Sequence, residues 1–294
     1  MNIKNIMISN ITEIAERRNP MIDAFLFDLL LGSMAVMIAA GLQVLTGFGF
    51  SLVAIPLLLY VFPGYQAILI CMILSFFTLS LQVKGSFRLA RWDLIWRLLL
   101  VGFPGLLIGV MWSEKLNAGH LKAIVGATVL IYVLLQWFKL EKKKRNPGTS
   151  NHTAAETSAT GISAESDPHS QTNTAPKGFY AAGLLSGLLT GVAGLPGPPV
   201  VAILVQFLPR NIFRATTVNY FFIQYAIALS LSLFVFNKHN NSEVLLTVVI
   251  LILPTLIGFL LGHPLRKLVN EQNFKRLVFS LLIIVGVTST LQIF

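Results

Sequence analysis

Thr190–Pro199 reads TGVAGLPGPP, with three glycines and three prolines in ten residues, inside an apolar run from Phe179 to Leu208. Thr46–Pro56 reads TGFGFSLVAIP, inside a similar run from Phe25 to Phe62. Glycine and proline in these numbers break a helix, and a break at membrane depth leaves N–H and C=O groups without helical partners. Each costs several kcal/mol against lipid, so such a break must be buried in protein or line a polar cavity. Pro198 and Pro199 suit the first turn of a new helix, where no N–H is needed. Gly47 and Gly49 allow close backbone approach or a positive φ, and Ser51 is placed to cap the half-helix that follows. Two helix N-termini meeting near the membrane's middle would bind an anion through backbone N–H groups. The candidate pathway residues are therefore Thr46, Gly47, Gly49 and Ser51 in the first stretch and Thr190, Gly191, Gly194, Gly197 and Pro198 in the second. The competing role for the glycines is helix packing. Asn219, near Gln224 in RATTVNYFFIQ, joins the list, against the alternative of interhelical hydrogen bonding.

Other chemistries find few residues. Asp28, Asp93, Glu114, Glu243, His120, His239 and His263 all lie near the ends of apolar runs. There is no mid-span His pair, no Ser–His–Asp pattern and no HExxH. A membrane-embedded enzyme has little to work with, and neither metal nor cofactor is expected. The single cysteine, Cys71, excludes an intrachain disulfide and reads as an inert buried thiol.

The elements that must position these residues follow from composition. Of 294 residues 55% are hydrophobic and 12% charged, against about a quarter charged in soluble domains. Apolar blocks near the thickness of a bilayer core define an all-α polytopic membrane protein. Lys and Arg, which give a net charge of +10, gather in loops between the blocks. That fits lipid orientation rather than nucleic-acid binding. Candidate spans are Ala67–Val83, Leu94–Trp112, Leu121–Phe138, Thr216–Phe236, Val244–Leu261 and Phe274–Ile293, with the two interrupted segments beside them. Residues 1–24 read as an amphipathic surface helix or a disordered segment. Residues 25–140 form one membrane unit and 178–294 a second. The polar, Ser/Thr-rich stretch between them, 141–177, is a flexible linker.

The two units resemble each other. LTG recurs at Leu45–Gly47 and Leu189–Gly191, FPGLLIG at 103–109 matches LPTLIG at 253–258, and LKAIV at 121–125 matches FKRLV at 274–278. The order is constant, which argues for a duplication: an interrupted segment followed by three spans, twice. The loops Lys84–Arg91 and Lys139–Arg145, and those near 210 and 270, are basic, whereas Ser113–His120 and Asn237–Glu243 are not. The basic loops and the linker then face the cytoplasm, and equivalent loops of the two repeats face opposite sides. Inverted repeats result if each interrupted segment enters and leaves on one side as two half-helices. Arg17-Arg18 argues the other way, and eight full spans in parallel repeats remain an alternative.

TGFGFSLVAIPLLL at 46–59 resembles the first-repeat signature of the sulfite exporter TauE/SafE family, and GLLSGLLTGVAGLPGPPVVAILV at 183–205, followed by RATTVNYF, resembles the second. The resemblance implies an inner-membrane carrier of small anions, often sulfur oxyanions or sulfonates, and carries Thr46, Gly47, Gly49, Gly191, Gly194, Gly197 and Pro198 over as candidate site residues. Phe50 departs from the pattern, where many members have a further glycine, and is expected to narrow the first break. The linker is longer than the family implies.

The expectation is a transporter moving sulfite, sulfonates or related anions outward across the cytoplasmic membrane. The membrane potential favours that direction by about 2.3 kcal/mol per charge per 100 mV. Alternatives are an uptake permease for organic acids or sulfur compounds and a non-transporting assembly factor. Partners are the small anion and the bilayer, not nucleic acid; a homo-oligomer is compatible with the sequence.

Overall fold

The computed structural model describes residues 20–62, 64–113, 116, 119–121, 123–124, 126–128, 178–205, 208–235 and 242–268. The N-terminal segment through residue 19, the expected linker 141–177, the expected span Phe274–Ile293 and most of the 121–138 span lie outside the described residues. All regular structure among those described is helical. The elements are α1 (Pro20–Thr46), α2 (Phe50–Val61), α3 (Gly64–Ser86), a 3-10 turn (Phe87–Leu89), α4 (Trp92–Ser113), α5 (Phe179–Ala193), α6 (Gly197–Leu204), α7 (Arg210–Val235) and α8 (Ser242–Leu268).

Five of these helices are long and apolar enough to cross a bilayer: α1, α3, α4, α7 and α8. Their surface carries large apolar side chains such as Leu100, Met111, Phe234 and Val249, while Ser75, Thr78, Ser186, Thr190, Thr216 and Thr217 are fully buried. Apolar outside and polar inside is the arrangement lipid imposes. The chain is a multi-pass membrane protein.

Both expected breaks are present. At about 1.5 Å per residue, the 12 residues of α2, the 15 of α5 and the 8 of α6 each fall short of a bilayer core. The first segment differs from two half-helices, because α1 has 27 residues and its part Leu26–Thr46 suffices for a span. The reason lies in the sequence: no glycine or proline punctuates the run between Gly41 and Thr46, so the helix continues to Gly47.

Helix pairing is set by small residues. α4 lies along α5 so closely that a β-carbon at Gly102 would stand 2.9 Å from Gly183 O and one at Gly109 2.5 Å from Leu188 O, and one at Gly187 would collide with Gly102 O. The same close approach joins α8 to α1, where a β-carbon at Gly262 would lie 2.9 Å from Gly41 O and one at Gly258 would collide with Met37 O. α3 packs against α7, and these two also contact α8 and α4 respectively.

Candidate functional site

The first break runs from Gly47 (φ +80°) to Gly49 (φ +105°), left-handed values that a β-carbon would strain. Thr46 Oγ1 donates to Leu42 O at 2.9 Å or to Phe48 O, and accepts from Phe48 N–H at 3.2 Å. Its hydroxyl folds the break. Gly49, not Ser51, is the N-cap of α2. The expected Ser51 cap is absent because the helix starts at Phe50 and the Ser51 hydroxyl bonds Tyr225 Oη and approaches Ser75 Oγ at 3.4 Å. The amides of Phe50, Ser51 and Leu52, in the first turn of α2, have no carbonyl behind them in the helix.

The second break opens where Gly194 (φ +65°) caps α5, its N–H donating to Thr190 O at 2.9 Å. Pro196 is the N-cap of α6, and Pro198 and Pro199 occupy its first turn as expected. Because proline has no N–H, only Gly197 of the first three helical residues, Gly197, Pro198 and Pro199, carries a backbone amide hydrogen.

The two breaks share one cavity. Gly49–Leu52 line it from the first, Leu195–Gly197 from the second, and Gln43, Ser75 and Tyr225 close it. Phe50 also lines it. It holds about 20 Å³ of water-accessible space, roughly room for one water molecule. A β-carbon at Gly197 would meet nothing within 4 Å although the residue is buried, and one at Gly49 would approach only Thr46 Oγ1, at 3.8 Å.

Two carbonyls of the second break are occupied. Tyr225 Oη donates to Gly194 O at 3.0 Å, and Ser186 Oγ donates to Pro196 O at 2.7 Å. Tyr220 Oη steadies Ser186 at 3.1 Å. Gln43 Oε1 accepts from Thr78 Oγ1 at 2.6 Å.

The remaining candidates lie away from the cavity. Thr190 is fully buried, donates to Ser186 O at 2.6 Å and accepts from Gln224 Nε2 at 2.8 Å. Gly191 lies against α4, where a β-carbon would be 2.5 Å from Leu106 O and 2.6 Å from Val110 N, so it is a packing residue first. At Gly194 a β-carbon would press on Met72, Ile55 and Ile68 at 3.2–3.3 Å. Asn219 Nδ2 bonds Ser86 Oγ at 3.0 Å and Ala215 O at 2.8 Å, linking α7 to α3. Near it, Arg214 Nη2 donates to Gln82 Oε1 at 3.3 Å, with its stem against Gly47.

A larger cavity of about 290 Å³ lies at the other ends of these helices, lined by Gly64, Ile68, Met72, Ser113, Gly191 and Ser232 among others. Ile68 and Met72, in its wall, also lie over Gly194.

Sequence reasoning missed Ser75, Thr78, Ser186 and Tyr225. Their signal was a polar residue recurring at helical spacing within an apolar span: Ser75, Thr78 and Gln82 on α3, Ser186 and Thr190 on α5.

Comparison with curated proteins and with solved structures finds no match for this chain. The family description that does match, sulfite exporter TauE/SafE, extends over residues 33–289 and so takes in both breaks and the helices around them; the chain belongs to that family of membrane transporters.

Proposed function

We propose that this protein carries small oxyanions, sulfite or a sulfonate, outward across the cytoplasmic membrane, with the cavity between the breaks as its binding point. One observation carries the choice of anion over cation. Gly194 O and Pro196 O are tied up by the hydroxyls of Tyr225 and Ser186, whereas Phe50, Ser51 and Leu52, whose amides have no helical acceptor, line the cavity. A cation site needs free carbonyls; this one offers N–H groups and a positive helix end.

The cavity as it stands admits water but not a four-atom anion, so it corresponds to a closed arrangement. Ile68 and Met72 serve as the barrier towards the larger cavity. That cavity lies at the Gly64 end of α3 and near the Ser113 and Ser232 ends of α4 and α7. The basic loop Lys84–Arg91 and Arg210 lie at the opposite ends, which by the distribution of Lys and Arg are cytoplasmic. The larger cavity is then the outer approach.

Two inverted repeats account for the packing. Exchanging α1 with α5, α2 with α6, α3 with α7 and α4 with α8 turns the α1–α8 pair into α5–α4, and α3–α8 into α7–α4; all four pairs are in contact. In this arrangement the linker is cytoplasmic.

The test is counterflow of labelled sulfite in proteoliposomes, with methanesulfonate and small carboxylates as competitors. Exchange inhibited by the sulfonate is the expected result. No flux of any of these anions, with protein correctly inserted, overturns the proposal.

A further inference from the structure

We infer that Arg214 and the α3–α7 bonds beside it form a latch on the cytoplasmic side, and that its release opens the small cavity to the cytoplasm. This rests on the carrier reading and the inverted repeats above, and goes on to say which contacts break in each transport cycle.

Two observations lead to it. The first comes from setting the repeats in register. LTG aligns Gly47 with Gly191, and VFP at 61–63 with FLP at 207–209 aligns Pro63 with Pro209. Ile68 and Arg214 then each stand 5 residues beyond that proline, and Ser86 and Ser232 each 23 (63 to 86, 209 to 232). Gly191, Ile68 and Ser232 all line the cavity of about 290 Å³. Their counterparts Gly47, Arg214 and Ser86 are closed up. A β-carbon at Gly47 would stand 2.6 Å from Arg214 Cγ, and Ser86 Oγ accepts from Asn219 Nδ2 at 3.0 Å. The same three positions border open space in one half of the fold and are packed shut in the other. An inverted-repeat carrier open to one side has this asymmetry, because the repeats exchange conformations when access changes sides.

The second observation is the set of polar bonds at the packed end. Arg214 Nη2 donates to Gln82 Oε1 at 3.3 Å, Asn219 Nδ2 to Ser86 Oγ, and Arg91 N–H, just before α4, to Thr216 Oγ1 at 3.1 Å. All three reach across the repeats to one short stretch of α7, so moving that stretch away from α3 breaks them together. Each is modest once water can replace it, and the set can open and re-form. Arg214 both plugs and fastens: its stem fills the space at Gly47 while its guanidinium holds Gln82. Directly behind Gly47, Phe48 and Gly49 line the small cavity. Lifting Arg214 off Gly47 therefore uncovers the first break.

Two measurements on the full chain test the latch. The first needs no flux. Cys71, the single cysteine, has its Sγ 3.9 Å from Ser75 Oγ, and Ser75 lines the small cavity. Gln82→Ala removes the bond to Arg214. It is expected to raise labelling of Cys71 by a membrane-impermeant thiol reagent about tenfold in inside-out vesicles, with little change in right-side-out ones. Equal labelling of variant and unaltered protein, slow or fast, overturns the latch.

The second joins the latch covalently. Ser86→Cys and Asn219→Cys, with Cys71→Ser and a protease site inserted in 141–177, are treated with a short, reducible bifunctional thiol reagent. Joining is read from the two halves staying together on a denaturing gel after cleavage. The joined protein is expected to lose at least tenfold of its sulfite counterflow and to regain it on reduction, whereas a monofunctional reagent of the same kind leaves most of the flux. Joined protein that exchanges sulfite at the unjoined rate, or a pair that the reagent does not join, overturns the latch and leaves the carrier intact. If the paired substitution itself stops exchange, the Cys71 labelling decides. Absence of anion flux in the unaltered protein overturns the carrier reading and this inference together.

Discussion

Tyr225 Oη donates to Gly194 O at 3.0 Å while also bonding the Ser51 hydroxyl, so one phenol on α7 ties the end of α5 to the start of α2. The two breaks are held in register by a residue that belongs to neither.

Tyr225→Phe tests that link. The ring still fills its buried place, but Gly194 O and the Ser51 hydroxyl each lose a partner. A buried acceptor left unsatisfied costs about 1–3 kcal/mol. Thermal unfolding in detergent is expected to show a loss in that range. Sulfite counterflow should slow about tenfold, because the breaks no longer hold their spacing. A variant with unchanged stability and flux would show that the phenol is merely packed there.

The glycines divide into two sets that sequence could not separate. Gly187 and Gly191 face the backbone of α4, and Gly49 and Gly197 border the cavity. Gly187→Ala forces a methyl into Gly102 O, and overpacking of this kind costs about 1–3 kcal/mol. With backbone rather than a flexible side chain as the obstacle, the top of that range is expected. Loss of a monodisperse detergent-extracted species is the measurement. Retention of normal stability would mean that α4 and α5 slide apart more freely than their packing implies.

Gly197→Ala should behave in the opposite way. The added methyl meets no atom within 4 Å, and Gly197 has no positive φ. Replacing a helical glycine by alanine typically stabilises by about 0.4–1 kcal/mol. The methyl, however, enters a cavity of about 20 Å³ beside the one amide that α6 supplies. Higher thermal stability together with reduced flux is the expected pair of results, and Gly197→Val should reduce flux further. Raised stability with unchanged flux would remove Gly197 from the site.

How far the sequence could lead is clear from these same residues. Both breaks were legible because glycine and proline act locally: Gly194 stops α5 and Pro198-Pro199 start α6 whatever surrounds them. The helices α3, α4, α7 and α8 were legible from apolar length. Side-chain direction was not. Ser51 has the residue type and place of a cap, yet its hydroxyl is claimed by Tyr225, 174 positions away. Gly191 and Gly194 stand one turn apart in one motif, and only the position of α4 tells that the first serves packing. Asn219 was similarly ambiguous until Ser86 came to lie beside it. Contacts across the two halves decide these roles, and no local pattern encodes them.

Gly47 and Arg214 give a test of such a long-range contact. Gly47 has φ +80°, and a β-carbon there would stand 2.6 Å from Arg214 Cγ. Gly47→Ala therefore meets two separate costs. The left-handed backbone contributes roughly 1–2 kcal/mol for any residue with a β-carbon. The clash adds to it by pushing the Arg214 stem aside and disturbing its 3.3 Å bond to Gln82. Arg214→Ala removes the obstacle but not the backbone strain. In the double variant the loss from Gly47→Ala should shrink by about 0.5–3 kcal/mol, the range found for residues in contact, while the φ contribution persists. Strictly additive losses across the four proteins of this cycle would mean that the chain at Gly47 moves away from α7 without cost. In that case Arg214 does not hold the first break in place.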